Sequence, residues 1–177
     1  MTKRTLPSQE YLRQCFDYDP LTGVLRRRFR PREHFSTDRI WRIANAKFAG
    51  KVFGTLSDLG YIVGTLDTAP KLRAHRIIWK MVHNEEPPEI DHKNRTRNDN
   101  RLDNLRAATS SQNRCNRVYA DRTVPFRGIL PNGKRWAARI RVDGKYKSLG
   151  THDTPEQAHA AYRAAATANF GDFAVFE

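Results

Sequence analysis

Short alternating stretches, helices that carry their own caps and tight turns between them point to an α+β chain built on small antiparallel sheets. Three signals carry this reading. Asp143-Gly144 lies between two alternating runs, which is a strong hairpin signal. Thr154-Pro155-Glu156-Gln157 opens a helix with an N-cap, a proline at the first helical position and a capping-box glutamine. Thr109-Ser110-Ser111-Gln112 reads as a second capping box. The patterning predicts a unit over residues 1–118, a polar linker over 119–124 and a second unit over 125–177.

Ser8 is placed to cap a short helix that runs through Phe16. Tyr18-Asp19-Pro20-Leu21-Thr22-Gly23 is a turn, because proline fixes φ and glycine permits positive φ. Val24 to Phe29 reads as a strand. Its cations Arg26, Arg27 and Arg28, with Arg30 and Arg32 beyond, either track a DNA backbone or solvate a strand edge. Residues 33–50 are weakly patterned and are expected to be irregular. Ser57 to Gly60 is a turn, Tyr61 to Leu66 a strand, Asp67 to Pro70 a turn and Lys71 to Ala74 a short strand. Ile77, Ile78, Met81 and Val82 have helical spacing, and Asn84 with Pro87-Pro88 ends that helix. His75 at its start either sits near a reactive centre or is a hydrogen-bonded structural histidine. His83 reads as a C-terminal cap, and His34, His152 and His159 as ordinary surface residues.

The stretch from Glu89 to Arg117, EIDHKNRTRNDNRLDNLRAATSSQNRCNR, holds the residue types suited to hydrolysis. Asp91 is a hard oxygen donor, and His92 is a side chain that exchanges protons near neutral pH. Asn113 falls in the first turn of the helix opened by Thr109. A carboxylate, an imidazole and an amide carbonyl suit a metal with open positions and a water-activating base. Asp91-His92, then Asn104 in NDNRLDNLR, then Asn113 in TSSQNRCNR resemble the motif of HNH nucleases, in their phage-type homing branch. The YDPLTG segment and the His-Arg-x-x-Trp run at His75 also resemble parts of such proteins. The resemblance implies a ββα-metal (His-Me finger) unit in which Asp91 and Asn113 bind the metal, His92 is the general base and Asn104 braces the loop. The last motif position is Asn rather than His, and an amide ligand favours a hard ion, Mg2+ or Mn2+, one per site.

After Pro125 the pattern restarts. Phe126 to Leu130 reads as a strand and Pro131-Asn132-Gly133 as a turn. In the next strand Trp136, Ala138, Ile140 and Val142 share one face, with Arg135, Ala137, Arg139 and Arg141 on the other. Lys145 to Leu149 is the third strand. Ala158, Ala161, Tyr162, Ala165 and Ala168 form a small-residue stripe on the closing helix. The pieces FRGI, GKRWAARIR, LGTHDT and EQAHAAYRAAA resemble the Apetala/ERF-type DNA-binding domain, a three-stranded antiparallel sheet packed on one helix. That resemblance implies DNA contacts by Arg127, Lys134, Trp136, Arg139 and Arg141, and the polar strand face adds Arg135. Trp136 has a second reading as core, from its alternation with Ile140. The arrangement also resembles the arm-binding domains of phage integrases.

The formal net charge is +13 over 177 residues, which makes a polyanion the natural partner. Residues 1–118 carry 23 Lys+Arg against 13 Asp+Glu, so most of that charge lies in the first part. No apolar run is long enough to span a bilayer and no leader pattern is seen, so a cytoplasmic protein is expected, in a host cell if phage-encoded. Cys15 and Cys115 lack a Cys-x-x-Cys pattern and read as free thiols rather than zinc ligands. The resemblances together imply a metal-dependent endonuclease acting on double-stranded DNA, a site-specific homing or nicking enzyme, with a monomer favoured. A non-catalytic DNA-binding regulator is the alternative. A structural RNA-binding protein fits less well, because stacked aromatics on strands are missing.

Overall fold

The computed structural model describes residues 5–67, 69–117, 124 and 126–176. Its contacts divide the chain into two compact units, Met1–Arg106 and Ala107–Glu177. The linker expected over 119–124 lies, except for Val124, outside the described residues.

In the first unit Ser8 caps helix α1 (Gln9–Cys15) through its side chain, which accepts from the Tyr11 N–H. Strands β1 (Phe16–Tyr18) and β2 (Leu25–Arg27) pair antiparallel around the YDPLTG turn. The Asp19 carboxylate accepts from Leu21 N at 2.9 Å and Thr22 Oγ1 at 2.6 Å. This is the local bonding by which aspartate fixes a turn. The strand expected over 24–29 is thus trimmed to its middle.

Residues 33–50 are not irregular. Helix α2 (Asp38–Phe48) occupies most of them, with Thr37 capping Ile40 N. The sequence pattern concealed it because Asn45 is the only buried residue on the helix, while Ile40 and Ile43 face outward. Apolar periodicity reports burial, and here the apolar residues stand on the wrong side for it.

Strands β3 (Thr55–Leu56), β4 (Ile62–Leu66) and β5 (Ala69–Arg73) form a sheet in sequence order. Helix α3 (Ala74–His83) follows directly, burying Ile77, Ile78, Trp79 and Met81, and ends on Asn84 in the left-handed conformation. His83 stacks on Trp79 with ring centroids 4.2 Å apart. Strand β6 (Glu89–His92) is hydrogen-bonded to β7 (Leu105–Ala108), the strand inside which the division falls. The core of this unit includes Leu12, Phe16, Leu25, Phe53, Leu66, Ile77, Ile78, Ile90 and Leu105. Cys15 is buried in it as a free thiol, and burial pushes that thiol up to about 11.

The second unit begins with the short helix α4 (Ser110–Cys115), on which both halves of the Thr109/Gln112 capping box are formed. Strands β8 (Ile129–Asn132), β9 (Arg135–Val142) and β10 (Lys145–His152) make an antiparallel sheet with β9 in the centre. β8 starts three residues later than the sequence suggests and runs through Pro131, so the turn is Gly133-Lys134. Asp143 (φ 48) and Gly144 (φ 82) both take positive φ, as a two-residue hairpin of this hand requires. β10 extends past Leu149 through a bulge to His152. Helix α5 (Pro155–Phe170) starts at the Thr154 cap and covers the sheet. Its buried face is Ala158, His159, Tyr162, Ala166 and Phe170, so Ala166 rather than Ala168 completes the stripe. His159 is no surface residue. It is buried, stacks on Phe126 and lies 3.2 Å from the Arg127 carbonyl through Nδ1.

Gly128, just before β8, packs closely against α5. It has φ +77, and a Cβ added there would meet the Tyr162 ring at 1.9 Å. Positive φ and overpacking each cost about 1–3 kcal/mol. Gly128→Ala is therefore expected to lower the stability of the second unit by at least about 2 kcal/mol, read by thermal unfolding. An unchanged melting curve would contradict this packing.

Candidate active site

The first unit assembles a buried cluster where β6 leaves the core. Asp91 and His92 are each 4 % exposed and His75 is 3 % exposed. The His75 and His92 rings meet edge to face with centroids 5.1 Å apart. Tyr61, just before β4, lies 5.1 Å from His75 and 6.0 Å from His92. The guanidiniums of Arg73 and Arg97 stand over the Tyr61 ring at 4.7 and 5.3 Å. Strand, helix start and hairpin thus converge on one imidazole.

Asp91 is not left as an isolated buried charge. Arg106, across on β7, donates to its Oδ2 from Nε and from a terminal nitrogen, each at 2.8 Å. A buried carboxylate is tolerable only with such a partner. The His92 Nε2 is 3.2 Å from Asn100 Oδ1. Burial pushes His92 below the ordinary imidazole value, against the opposing pull of Asn100 and Asp91. Burial pushes His75 further down, helped by His92 and by Arg73 and Arg76. His75 Nδ1 is buried with no hydrogen-bond partner, so the expected hydrogen-bonded structural histidine is not what stands there at that atom.

The loop between β6 and β7 is held from inside by Asn104. Its side-chain oxygen accepts from Asn94 N at 3.0 Å, its amide donates to the Asp99 carbonyl at 2.7 Å, and its own carbonyl accepts from Lys93 N at 2.8 Å. The YDPLTG turn backs the same loop. The Tyr18 hydroxyl donates to the Asn100 carbonyl at 2.9 Å, and Leu102 N donates to the Pro20 carbonyl at 3.3 Å. A Cβ on Gly23 would stand 2.6 Å from Arg101 N, so only glycine permits that approach.

Asp91, His92, His75 and Asn104 therefore lie in the first unit. Asn113 lies in the second, on α4. Sequence reasoning overlooked Tyr61, Asn100 and Arg106. Asn100 had a signal, since it sits in the same Asn-rich loop as Asn104 and eight residues after His92. Arg106 and Tyr61 had none, because their relation to the site exists only through strand pairing and the hairpin.

The cations named for DNA contact are placed in different ways. Arg27 is spent inside the first unit. It donates to the Thr65 carbonyl at 2.7 Å and lies over Phe48 and Phe53. Arg26 reaches the Gly50 carbonyl at 3.4 Å, and Arg28 pairs with Asp17 at 3.3 Å on an exposed edge. In the second unit the Arg127 guanidinium donates to the carbonyls of Arg114, Cys115, Arg117 and Val175, so it ties the chain rather than facing outward. Trp136 packs with the Ile129, Ala138 and Ala158 cluster, which fits its reading as core. Arg135, Arg139 and Arg141 are exposed, as is Lys134. Arg135 pairs with Asp153 at 2.9 Å, and Arg139 and Arg141 lie over the exposed Tyr146 ring at 4.6 and 5.4 Å. Arg139 and Arg141, but not Arg135, line a cleft of about 240 Å³ with Arg114, Ser111 and Tyr146.

Among the described residues no three His, Cys, Asp or Glu side chains are grouped to hold a metal, and no helix is long and apolar enough to cross a membrane. The donor set named by the sequence is instead one carboxylate and one amide. That chemistry suits an oxygen-seeking ion that keeps several waters, such as Mg2+, and not zinc.

Asp99 gives this region a pH signature. The Arg101 side chain holds its carboxyl down at about 2, helped by Arg101 N and Asn94 against the effect of burial. A folded-state value below the unfolded one contributes stability above about pH 4, and the contribution fades as pH falls toward 2. Asp99→Asn is expected to melt lower than the native chain at pH 6, with the gap closing near pH 2. A gap independent of pH would contradict the assignment.

Residues 72–115 match the family model described as HNH endonuclease. No curated protein and no solved structure matches the chain. The family match covers β5 from Leu72, α3, β6, the braced loop, β7 and α4, and it supports a nuclease acting on DNA.

Proposed function

We propose that the chain is a divalent-metal-dependent DNA endonuclease of the ββα-metal type, with His92 as general base and Asp91 and Asn113 as metal ligands. The observation that carries this is His92 itself. It is buried beside Asp91 at the end of a strand within the matched segment and is tied to Asn100. With the Asn100 amide oxygen toward the ring, Nε2 donates and the basic lone pair falls on Nδ1. Burial keeps the ring neutral near pH 7, the form able to take a proton from water. Asp91, oriented by Arg106, and the Asn113 amide oxygen would hold the ion. When bound, a divalent ion supplies charge stabilisation at a phosphate oxygen and at the departing 3′ oxygen. Asn104 and the YDPLTG turn keep Asn100 against His92.

The exposed Arg139 and Arg141 support a DNA-reading role for the sheet of the second unit, of the Apetala/ERF type, since arginine matches the guanine edge in the major groove. Homing by a phage enzyme, duplex specificity and a monomeric working form belong to the same reading.

Plasmid nicking tests it. The native chain with Mg2+ is expected to convert supercoiled DNA, and a chelator to stop it. His92→Ala is expected to cleave roughly 10²–10⁴-fold slower while still binding DNA. Asp91→Ala is expected to abolish cleavage. Native-rate cleavage by His92→Ala, or cleavage undiminished in chelator, would contradict the mechanism.

A further inference from the structure

Helix α2 presents a face that the first unit does not use. Its inner side is fastened by polar bonds to one residue. Asn45 accepts from Arg30 N at 2.8 Å and donates to the Arg30 carbonyl at 2.9 Å, and Trp41 Nε1 donates to the same carbonyl at 2.9 Å. Arg30 in turn is anchored to Asp67 at 2.8 Å. The helix is thus rigidly mounted without its isoleucines. Ile40 is 48 % exposed and Ile43 is 55 % exposed. Exposed β-branched residues neither favour a helix nor bury area, so the fold gains little from them there. With Lys47 they fall at spacings of three and four along one side, and Arg39 and Arg42 flank them. The one acid of the helix, Asp38, is paired with Arg32 and also feels the charge of Arg42. Lys47 lies over the Phe48 ring.

We infer that this face of α2 docks in the major groove of duplex DNA, with Arg39, Arg42 and Lys47 on the flanking phosphates and Ile40 and Ile43 against thymine methyl groups. The major groove admits an α-helix, cations on phosphates set its register, and apolar side chains contact the thymine methyl. A face of three cations against one acid, itself already paired with Arg32, keeps a positive excess and suits a polyanion. It does not suit a second copy of a chain that carries +13, nor the cation-poor centre of a protein interface. The inference rests on the reading of DNA as substrate, but it concerns a surface that the catalytic residues do not include.

The test is binding of the full chain to a short A·T-rich duplex, by fluorescence anisotropy across a salt series. The triple variant Arg39→Gln/Arg42→Gln/Lys47→Gln is expected to flatten the slope of log affinity against log salt by roughly 2–3, about 0.9 for each phosphate no longer neutralised. Ile40→Ser/Ile43→Ser is expected to keep the slope and lose roughly 5–10-fold in affinity, within the range of one or two base contacts. Replacing thymine by uracil in the duplex removes the methyl groups. It is expected to weaken the native chain and leave the isoleucine variant unchanged. Because both isoleucines are exposed, circular dichroism of that variant is expected to match the native chain. Native slope and affinity in both variants would overturn the inference, and if the native chain still nicks DNA the nuclease reading survives. An α2-dependent slope in a chain that never nicks DNA supports the inference and removes the nuclease reading. Sedimentation showing a native dimer that Ile40→Ser/Ile43→Ser dissociates would assign the face to a second copy instead.

Discussion

The first unit depends on closing the loop between β6 and β7. Two strands leave the core side by side, and the residues between them must turn back without regular hydrogen bonding. Asn104 does this from the inside, accepting from Asn94 and donating to the Asp99 carbonyl. An unsatisfied buried backbone group costs about 1–3 kcal/mol, so one amide that satisfies both ends of a loop fixes its path. Asn100 then lands on His92, and the strand that follows brings Arg106 to Asp91. The YDPLTG turn, far earlier in the chain, completes the support through Tyr18, Pro20 and Gly23. Its proline and glycine have a geometric purpose that local turn chemistry alone does not reveal.

A second constraint is the packing of two imidazoles in one buried pocket. His75 stands in the first turn of α3, directly after β5 ends at Arg73, and its ring there meets that of His92 at the end of β6. Burial and mutual proximity hold His75 well below its ordinary value. Neutral rings can share such a space, while two imidazolium ions could not. The arrangement holds the two rings edge to face at the end of β6. Tyr61 and the arginines over its ring close the remaining side.

Local chemistry made much of the fold legible. The caps at Ser8, Thr109 and Thr154, the Asp143-Gly144 hairpin and the end of α3 at Asn84 each follow from residues within a few positions. Helix α2 was not legible, because its buried contacts are polar and its isoleucines face solvent. β8 was misplaced because Pro131 reads as a turn residue, whereas it pairs within a short strand next to the hairpin. His159 looked exposed because a histidine among alanines gives no apolar signal, yet it stacks on Phe126 within the core. At the site the motif residues could be named, but their partners could not. Asn100, Arg106 and Tyr61 arrive through pairing and packing between segments distant in sequence. Conversely, Arg27 and Arg127 were read as surface cations because sequence does not distinguish a guanidinium that binds carbonyls from one that faces water.

In the proposed reaction water, deprotonated at His92, attacks the phosphorus and leaves a 5′-phosphate and a 3′-hydroxyl. Cleavage with Mg2+ in ¹⁸O-water, followed by mass spectrometry of the fragment ends, locates the attacking oxygen. One ¹⁸O is expected in each new 5′-phosphate and none in the 3′-hydroxyl, with incorporation slowed in step with cleavage in His92→Ala. Ends without label, or label carried on a 3′-phosphate, would contradict it.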